Sequence, residues 1–196
     1  GEGWDPYPVS VPVTTTIAAV REGYSHLEAG DETDDVVGVA GRVVFLRNTG
    51  RLCFVTLQDG AGATLQAMLS AKALLAEGHT ALAAFKADVD LGDHLFVEGH
   101  VGTSKRGELS VFAHSWRIAS KAIRPLPKVY RNAEGEDVSL SEEARVRMRH
   151  LDLIMRPAAR DMVRLRAGVM KSLRANFDER GYTEIETPML QTIHGG

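Results

Sequence analysis

Two carboxylates near the end of the chain, Glu184 and Glu186, are the first candidates for chemistry. Their spacing places both on one face of a strand, and a pair of carboxylates can act as general acid and general base. The neighbouring sequence offers no nucleophile or second base with which they could work. We therefore expect a solvated strand face or salt bridges to the preceding basic segment, and we predict no catalytic residue in this chain.

Metal binding is not predicted either. The seven histidines are scattered without the spacing of metal ligands, and the sequence has one cysteine, Cys53. Zinc sites in proteins generally need closely spaced His or Cys ligands. A single cysteine also excludes an intrachain disulfide framework, which is consistent with a reducing compartment.

One aromatic side chain, Phe54, is the best candidate for a binding role. Side chains alternate between the two faces of a strand, so Phe54 shares the polar face with Thr56, and Gln66 lies on the polar face of the next strand. An exposed ring among polar neighbours can stack on a nucleobase, but a lone aromatic on a strand can also simply pack. Basic residues expected near the ring are Arg42, Arg47 and Arg51. With them, nucleic-acid binding is as good an interpretation as packing.

The order of predicted elements places these side chains on a small β-barrel. Strands are expected at Val36–Leu46, Leu52–Asp59, Thr64–Leu69, His94–Val101 and Leu109–Ile118. An alanine-rich segment between the third and fourth strands predicts a helix over Ala71–Ala87. Three strands, a helix and two further strands is the order of an OB-fold barrel, although other small α+β domains share it.

A second domain is expected after a proline-stiffened linker. Apolar residues at spacings of three and four predict a helix from about Arg160 to Arg180, which Gly181 ends in the left-handed conformation. Tyr182–Glu186 is expected to form a strand that stops before Pro188. We therefore predict an N-terminal extension, a barrel domain, a linker and the start of a further domain, at residues 1–35, 36–120, 121–144 and 145–196.

Charge is distributed unevenly along the chain. The net charge is −3, but residues 1–40 hold eight acids against Arg21 alone, whereas residues 145–180 hold ten Lys and Arg against four acids. The basic segment could lie near nucleic acid or be the solvated face of a helix. No run of about 18 apolar residues occurs, so we expect no membrane contact from this segment. The sequence begins at Gly1 without a signal-peptide pattern, and we expect residues upstream of it.

Two phrases connect these features to a known family. They are Arg149-His150-Leu151-Asp152-Leu153-Ile154 and Gly181-Tyr182-Thr183-Glu184-Ile185-Glu186-Thr187-Pro188-Met189-Leu190, and together they resemble motif 1 of class II aminoacyl-tRNA synthetases. Motif 1 alone would also suit aspartyl- or asparaginyl-tRNA synthetases. The opening phrase Asp5-Pro6-Tyr7-Pro8 and the linker phrase Arg124-Pro125-Leu126-Pro127 favour the lysyl-tRNA synthetases. The resemblance covers most of the chain, apart from the insert Tyr130–Ser139 and about 20 residues after the opening phrase.

This resemblance implies a mixed α and β fold, in which an N-terminal OB-fold β-barrel is followed by the first helix and strand of a class II antiparallel α+β catalytic domain. It also implies that the barrel binds the anticodon of tRNA(Lys). Phe54 would stack on a base, and Gln66 and Glu108 would hydrogen-bond the edge of the central uridine. Arg42 and Arg47 would contact the RNA backbone or bases.

Motif 1 is mainly structural in this family. The resemblance implies that its helix and strand form a homodimer interface, to which Arg166 and Pro188 would belong. Gly195 and Gly196 match a small-residue segment that borders the lysine pocket, where glycine lets backbone approach a ligand.

The implied activity of the complete enzyme is lysine activation with ATP and Mg²⁺, followed by transfer to tRNA, in the cytoplasm. In the family the residues for this chemistry lie in motifs 2 and 3, downstream of Gly196. We therefore expect this chain to bind RNA, to bind no ATP or Mg²⁺ and to be inactive in lysine activation. Other interpretations are an aspartyl- or asparaginyl-type synthetase, a stand-alone OB-fold RNA-binding module, and a lipid-lysylating fusion with membrane helices upstream.

Overall fold

The computed structural model describes residues 5–74, 81–127, 130–131, 137–138 and 140–190. The chain divides into two compact units, Gly1–Arg131 and Asn132–Gly196. The first contains the barrel and the second contains a run of helices. The insert predicted at Tyr130–Ser139 is described only at two short strands, β6 (Tyr130–Arg131) and β7 (Asp137–Val138).

Five strands close into a barrel. Their bounds are Glu32–Asn48 for β1, Leu52–Gln58 for β2, Thr64–Ser70 for β3, His94–Thr103 for β4 and Leu109–Ser120 for β5. Around the barrel they follow the order β1-β2-β3-β5-β4. All five agree with the sequence predictions to within a few residues. β3 and β5 pair in parallel and the other neighbours are antiparallel. This topology confirms the predicted OB-fold.

The core fills the inside of the barrel. In β2 the side chains of Cys53, Val55 and Leu57 point inward and are almost fully buried, as the alternation predicts. A short helix, α1 (Ile17–Gly23), adds Ile17 to this core, and its first turn is capped by the side chain of Thr16. The outer face of each strand is therefore free to carry polar or aromatic side chains.

The predicted helix over Ala71–Ala87 is wrong in its first part. Residues 71–74 are not helical, residues 75–80 lie outside the described part of the chain, and α2 runs only over Leu82–Asp88. Alanine content alone does not hold a short helix, which depends on burying an apolar face. α2 does this with Leu82 and with Phe85, whose ring meets the edge of the Trp116 ring at 5.3 Å between centroids.

A buried carboxylate, Asp93, ties the end of the barrel to the turn before β4. It accepts hydrogen bonds from the backbone N–H of Asp90 and Ala122 at 2.8 and 2.7 Å and from Lys121 Nζ at 2.8 Å. Burial alone would lower the pKa of Lys121, but the hydrogen bonds and charges of Asp90 and Asp93 outweigh it and raise that pKa. The chain therefore leaves the barrel at a fixed place.

The second unit contains α3 (Glu142–Arg147), α4 (Arg149–Met155) and α5 (Pro157–Glu179). Ser141 caps α3 by accepting the Ala144 N–H at 3.2 Å. In α4 the buried carboxylate of Asp152 lies 2.7 Å from Arg149 Nη1 and 3.1 Å from Arg156 Nη1. The two arginines compensate a charge that would otherwise be costly to bury.

The long helix ends as the sequence predicts. Gly181 has φ +80°, which side-chain-bearing residues rarely adopt, and the Tyr182 N–H donates back to the Phe177 carbonyl at 3.1 Å. The strand predicted over Tyr182–Glu186 is wrong, because this segment pairs with no other strand among the described residues. The expected salt bridge to the basic helix is present, between Arg174 Nε and Glu184 Oε1 at 2.9 Å. No helix in the described part of the chain is long and apolar enough to cross a membrane.

Candidate nucleic-acid interface

A groove of about 890 Å³ runs across the outer face of the barrel. Its floor is formed by the outward side chains of β2, β3 and β5, and one wall is the loop that joins β4 to β5. Four of the five residues predicted to bind RNA line it. These are Arg47, Phe54, Gln66 and Glu108.

Phe54 lies half-buried on the groove floor with a cation above it. Arg47 of β1 is its cross-strand partner, and the Arg47 guanidinium carbon lies 4.6 Å from the centre of the Phe54 ring. This distance is within the range of a cation–π contact. The pair combines a flat apolar surface with a positive charge, which are the two features that favour a nucleotide base and its phosphate.

The row that contains Phe54 continues around the barrel through two residues that sequence reasoning missed. Met68 is the partner of Phe54 on β3, and Phe112 is the partner of Met68 on β5. Both are partly exposed and line the groove. Alternation within β3 and β5 would have placed them on the outer face. Their alignment with Phe54, however, depends on the register between strands that are distant in sequence.

A second row carries the polar groups. Gln66 lies between Thr56 of β2 and Ser110 of β5 in the strand register. The Gln66 amide oxygen is 3.1 Å from the Ser110 hydroxyl, and that hydroxyl is 2.9 Å from the backbone carbonyl of Glu108. Gln66 and Glu108, which are far apart in sequence, are thus joined through Ser110.

The β4–β5 loop holds Glu108 in place at the rim. Ser104 donates its N–H to the Glu108 carbonyl at 2.8 Å and accepts the Glu108 N–H on its hydroxyl at 3.1 Å. The loop turns at Gly107, whose φ of +83° suits glycine. The exposed tip of the loop carries Lys105 and Arg106, which line the same groove. The exposed carboxylate of Glu108 therefore lies beside positive charge, in a position to face a ligand in the groove.

Arg42 is the predicted site residue that the groove does not include. It donates to the Gly92 carbonyl at 2.9 Å, beside the turn before β4. Burial lowers the pKa of its guanidinium. Burial also lowers the pKa of its cross-strand partner His94, and the Arg42 charge lowers it further, against the opposing effect of Asp93. That Arg42 contacts RNA stays a prediction.

In the second unit the apolar stripe of α5 is exposed to solvent. It consists of Met162, Leu165, Val169, Leu173 and Phe177. At about 3.6 residues per turn Arg166 falls within this stripe. Pro188 lies in the exposed segment after the helix, whereas Gly195 and Gly196 lie outside the described residues. No group of three or more His, Cys, Asp or Glu side chains in the described ranges could hold a metal ion.

Comparison with known proteins finds a family match for each of the two units. The family of OB-fold nucleic acid binding domains of tRNA anticodon type matches residues 37–119, and the tRNA synthetases class II (D, K and N) match residues 141–196. A lysine–tRNA ligase of Kineococcus radiotolerans is 57% identical over 194 residues, or 99% of this chain. One of Mycobacterium tuberculosis is 52% identical over 195 residues, or 100% of the chain. The chain belongs to the class II lysyl-tRNA synthetase family.

Other members of this family are considerably longer. The chain spans 37% of the length of each of the two ligases. It is also 39% identical, over 196 residues, to the lysylphosphatidylglycerol biosynthesis bifunctional protein LysX of a Mycobacterium species, of which it spans 16%. The lysyl-tRNA synthetase module therefore occurs both in ligases and in a protein named for lipid lysylation.

Proposed function

We propose that the barrel of this chain recognises the anticodon of tRNA(Lys) and that the chain is the N-terminal part of a lysine–tRNA ligase. The observation that carries the proposal is the groove in which Phe54, under Arg47, lies one strand away from the polar edge formed by Gln66 and Glu108. Single-stranded RNA is read by stacking unpaired bases on aromatic rings and by hydrogen bonds to their Watson–Crick edges. The groove offers both on adjacent rows.

Each groove residue then has a distinct role. The Phe54 ring stacks on one anticodon base, while Gln66 and Glu108 hydrogen-bond the edge of the central uridine. The positive charges of Arg47, Lys105 and Arg106 lie next to the phosphates of the bound loop. Glu108 repels phosphate, so its place in the groove favours base recognition over general polyanion binding.

The exposed stripe of α5 has the character of a protein interface. We assign it, with Arg166 and Pro188, to the contact between two copies of the chain in a C2 homodimer. Gly195 and Gly196 are assigned to the edge of the lysine pocket. The dimer assignment rests on the family motif and on the apolar exposure of the helix, and the pocket assignment rests on the family motif alone.

The complete enzyme would join lysine to tRNA in two steps. The lysine carboxylate attacks the α-phosphate of ATP to give lysyl-adenylate and pyrophosphate, and the lysyl group then passes to a terminal hydroxyl of the tRNA with release of AMP. Mg²⁺ would neutralise phosphate charge in this reaction. The chain matches the barrel and the start of the synthetase domain, and in the family the residues for this chemistry lie in motifs 2 and 3, so we expect the chain on its own to bind RNA in the cytoplasm without activating lysine.

The proposal is tested with labelled RNA hairpins that carry the lysine anticodon UUU, the aspartate anticodon GUC, the asparagine anticodon GUU or a scrambled loop. We expect the purified chain to bind the UUU hairpin most tightly. Tightest binding to GUC or GUU would indicate the other synthetases of this subclass, and equal binding to all four would indicate an unspecific RNA-binding module. ATP–pyrophosphate exchange by the chain alone would contradict its predicted inactivity.

A lipid-lysylating protein is the second candidate, because LysX is similar over the whole chain. Its synthetase portion would be expected to have the same barrel, so the hairpin experiment does not separate the two. Sequencing the gene on both sides of this segment does so, since the second candidate requires membrane helices upstream.

A further inference from the structure

The hydroxyl of Ser110 lies between two residues of the proposed base-reading edge. Ser110 is 0% exposed, although it is on the outer face of β5. Its Oγ is 3.1 Å from the amide oxygen Oε1 of Gln66 and 2.9 Å from the carbonyl oxygen of Glu108. A buried hydroxyl in this position is expected to have hydrogen-bond partners on both sides.

Counting protons fixes how these three groups bond. A serine hydroxyl has one proton to donate, while the Glu108 carbonyl can only accept. With the Gln66 amide oxygen facing Ser110, as it is placed in the structure, one of the two short oxygen–oxygen contacts has no proton. Turning the amide by 180° brings its nitrogen to Ser110; the nitrogen then donates to Oγ, and the hydroxyl donates to the Glu108 carbonyl. The second arrangement satisfies every contact, and amide orientation in proteins is assigned by this criterion.

The Glu108 carbonyl is itself well anchored. It also accepts the N–H of Ser104 at 2.8 Å, and a carbonyl oxygen has two lone pairs. The chain of bonds from Gln66 through Ser110 therefore ends on the backbone of the β4–β5 loop. A side-chain amide that would otherwise turn freely about its last bond is held in one orientation.

This orientation determines what Gln66 presents to the groove. Its oxygen and its second N–H remain available, as an acceptor next to a donor. Uracil offers the complementary N3–H donor and a carbonyl acceptor. Cytosine offers an N3 lone pair and an amino group. Its N3 acceptor would face the Gln66 oxygen, and its amino donor would face the Gln66 N–H. Turning the amide to suit cytosine would break the bond to Ser110 and oppose two oxygens.

We propose that Ser110 is a positioning residue that holds the Gln66 amide in the orientation that pairs with uracil and rejects cytosine. The inference rests on the proposed function, because it requires Gln66 to touch a base. It adds a residue that makes no contact with RNA and still determines which pyrimidine is accepted.

The test compares hairpins with anticodons UUU and UCU against the chain and its S110A variant. Loss of one hydrogen bond should reduce the UUU-to-UCU affinity ratio by about threefold to tenfold, because the freed amide can then turn to suit cytosine. The matched control is S115A on the same strand, where the Ser115 hydroxyl donates to Glu98 outside the groove. This control should keep the wild-type ratio.

Two further measurements separate the inference from the proposed function. If Gln66→Leu abolishes the preference for UUU and S110A leaves it intact, the positioning role of Ser110 is wrong and base reading by Gln66 stands. If Gln66→Leu also keeps the preference, both are wrong. In the unmodified chain, NMR should show one Gln66 side-chain amide hydrogen protected from exchange. Free exchange of both hydrogens would contradict the positioning role of Ser110 without the need for a variant.

Discussion

Replacing Phe54 with leucine tests the stacking role of the groove most directly. The ring lies half-buried on the outer face of β2 with the Arg47 guanidinium 4.6 Å above it. Leucine keeps an apolar contact for Met68 but removes the flat face. Stacking of a base on an aromatic ring is worth about 1–3 kcal/mol, so the dissociation constant for the UUU hairpin should rise about fivefold to 150-fold.

The same substitution should change stability much less. The cation–π contact with the exposed Arg47 contributes about 0.5–1 kcal/mol, and the cross-strand pair with Met68 differs between Phe and Leu by a few tenths of a kcal/mol at most. We therefore expect the free energy of unfolding to fall by about 1 kcal/mol. A loss of that size leaves a marginally stable domain folded at room temperature, so weaker binding would reflect the groove itself.

The assay is fluorescence anisotropy with a labelled UUU hairpin at one fixed salt concentration, because affinity for RNA depends strongly on salt. Denaturant unfolding of the same samples supplies the stability. The control is Phe177→Leu on α5, where the ring is 51% exposed and lies outside the barrel unit. Wild-type affinity in the Phe54 variant, or an equal loss in the Phe177 variant, would refute the stacking role.

Three further predictions concern stability. Asp93→Asn should lower the free energy of unfolding, measured by denaturant titration, by about 2–3 kcal/mol, because an amide cannot accept all three buried hydrogen bonds. In the same titration the control Asp90→Asn, at a carboxylate that is 68% exposed, should cost under about 1 kcal/mol. The lowered pKa of His94 means that the unfolded chain takes up its proton first as the pH falls below the ordinary value near 6.5. Stability should therefore decline as the pH falls below that value, and His94→Gln should flatten the decline; parallel curves would contradict this. Gly181→Ala should lower the thermal unfolding temperature of the second unit by introducing about 1 kcal/mol of strain at φ +80°, and an unchanged temperature would argue against the helix stop.

Local pattern predicted the barrel well, because each strand has a buried and an exposed face. Alternation in β2 predicted that Val55 is buried and that Phe54 is on the opposite face, and both are confirmed. The same reasoning failed where local preference has no tertiary partner. Residues 71–74 are rich in helix formers, but only Leu74 is buried and the segment forms a turn. Tyr182–Glu186 alternates like a strand without a neighbour to pair with in the described chain.

The candidate site was less accessible to sequence reasoning. Alternation placed Gln66 on the polar face of its strand, but the base-reading roles of Gln66 and Glu108 were predicted only through the family resemblance, since nothing local sets them apart from other polar residues on strands and loops. Ser110 was missed because its importance arises from the parallel pairing of β3 with β5, which joins residues 44 positions apart. Arg42 was expected to contact RNA because it lies on the first strand and matches a family position. The structure places its guanidinium at the Gly92 turn, outside the groove, and its contact with RNA stays a prediction.

The division of work within the groove follows from how firmly each part is held. The floor residues Phe54 and Gln66 alternate with fully buried neighbours such as Val55 and Ala67, so a shift of register would move the core into water. Groups held this firmly lose little conformational entropy on binding and can discriminate between bases by geometry. Lys105 and Arg106, in contrast, extend from an exposed loop tip, where attraction to phosphate tolerates movement. Base selection should therefore reside in the strands, and the salt-dependent part of affinity in the loop.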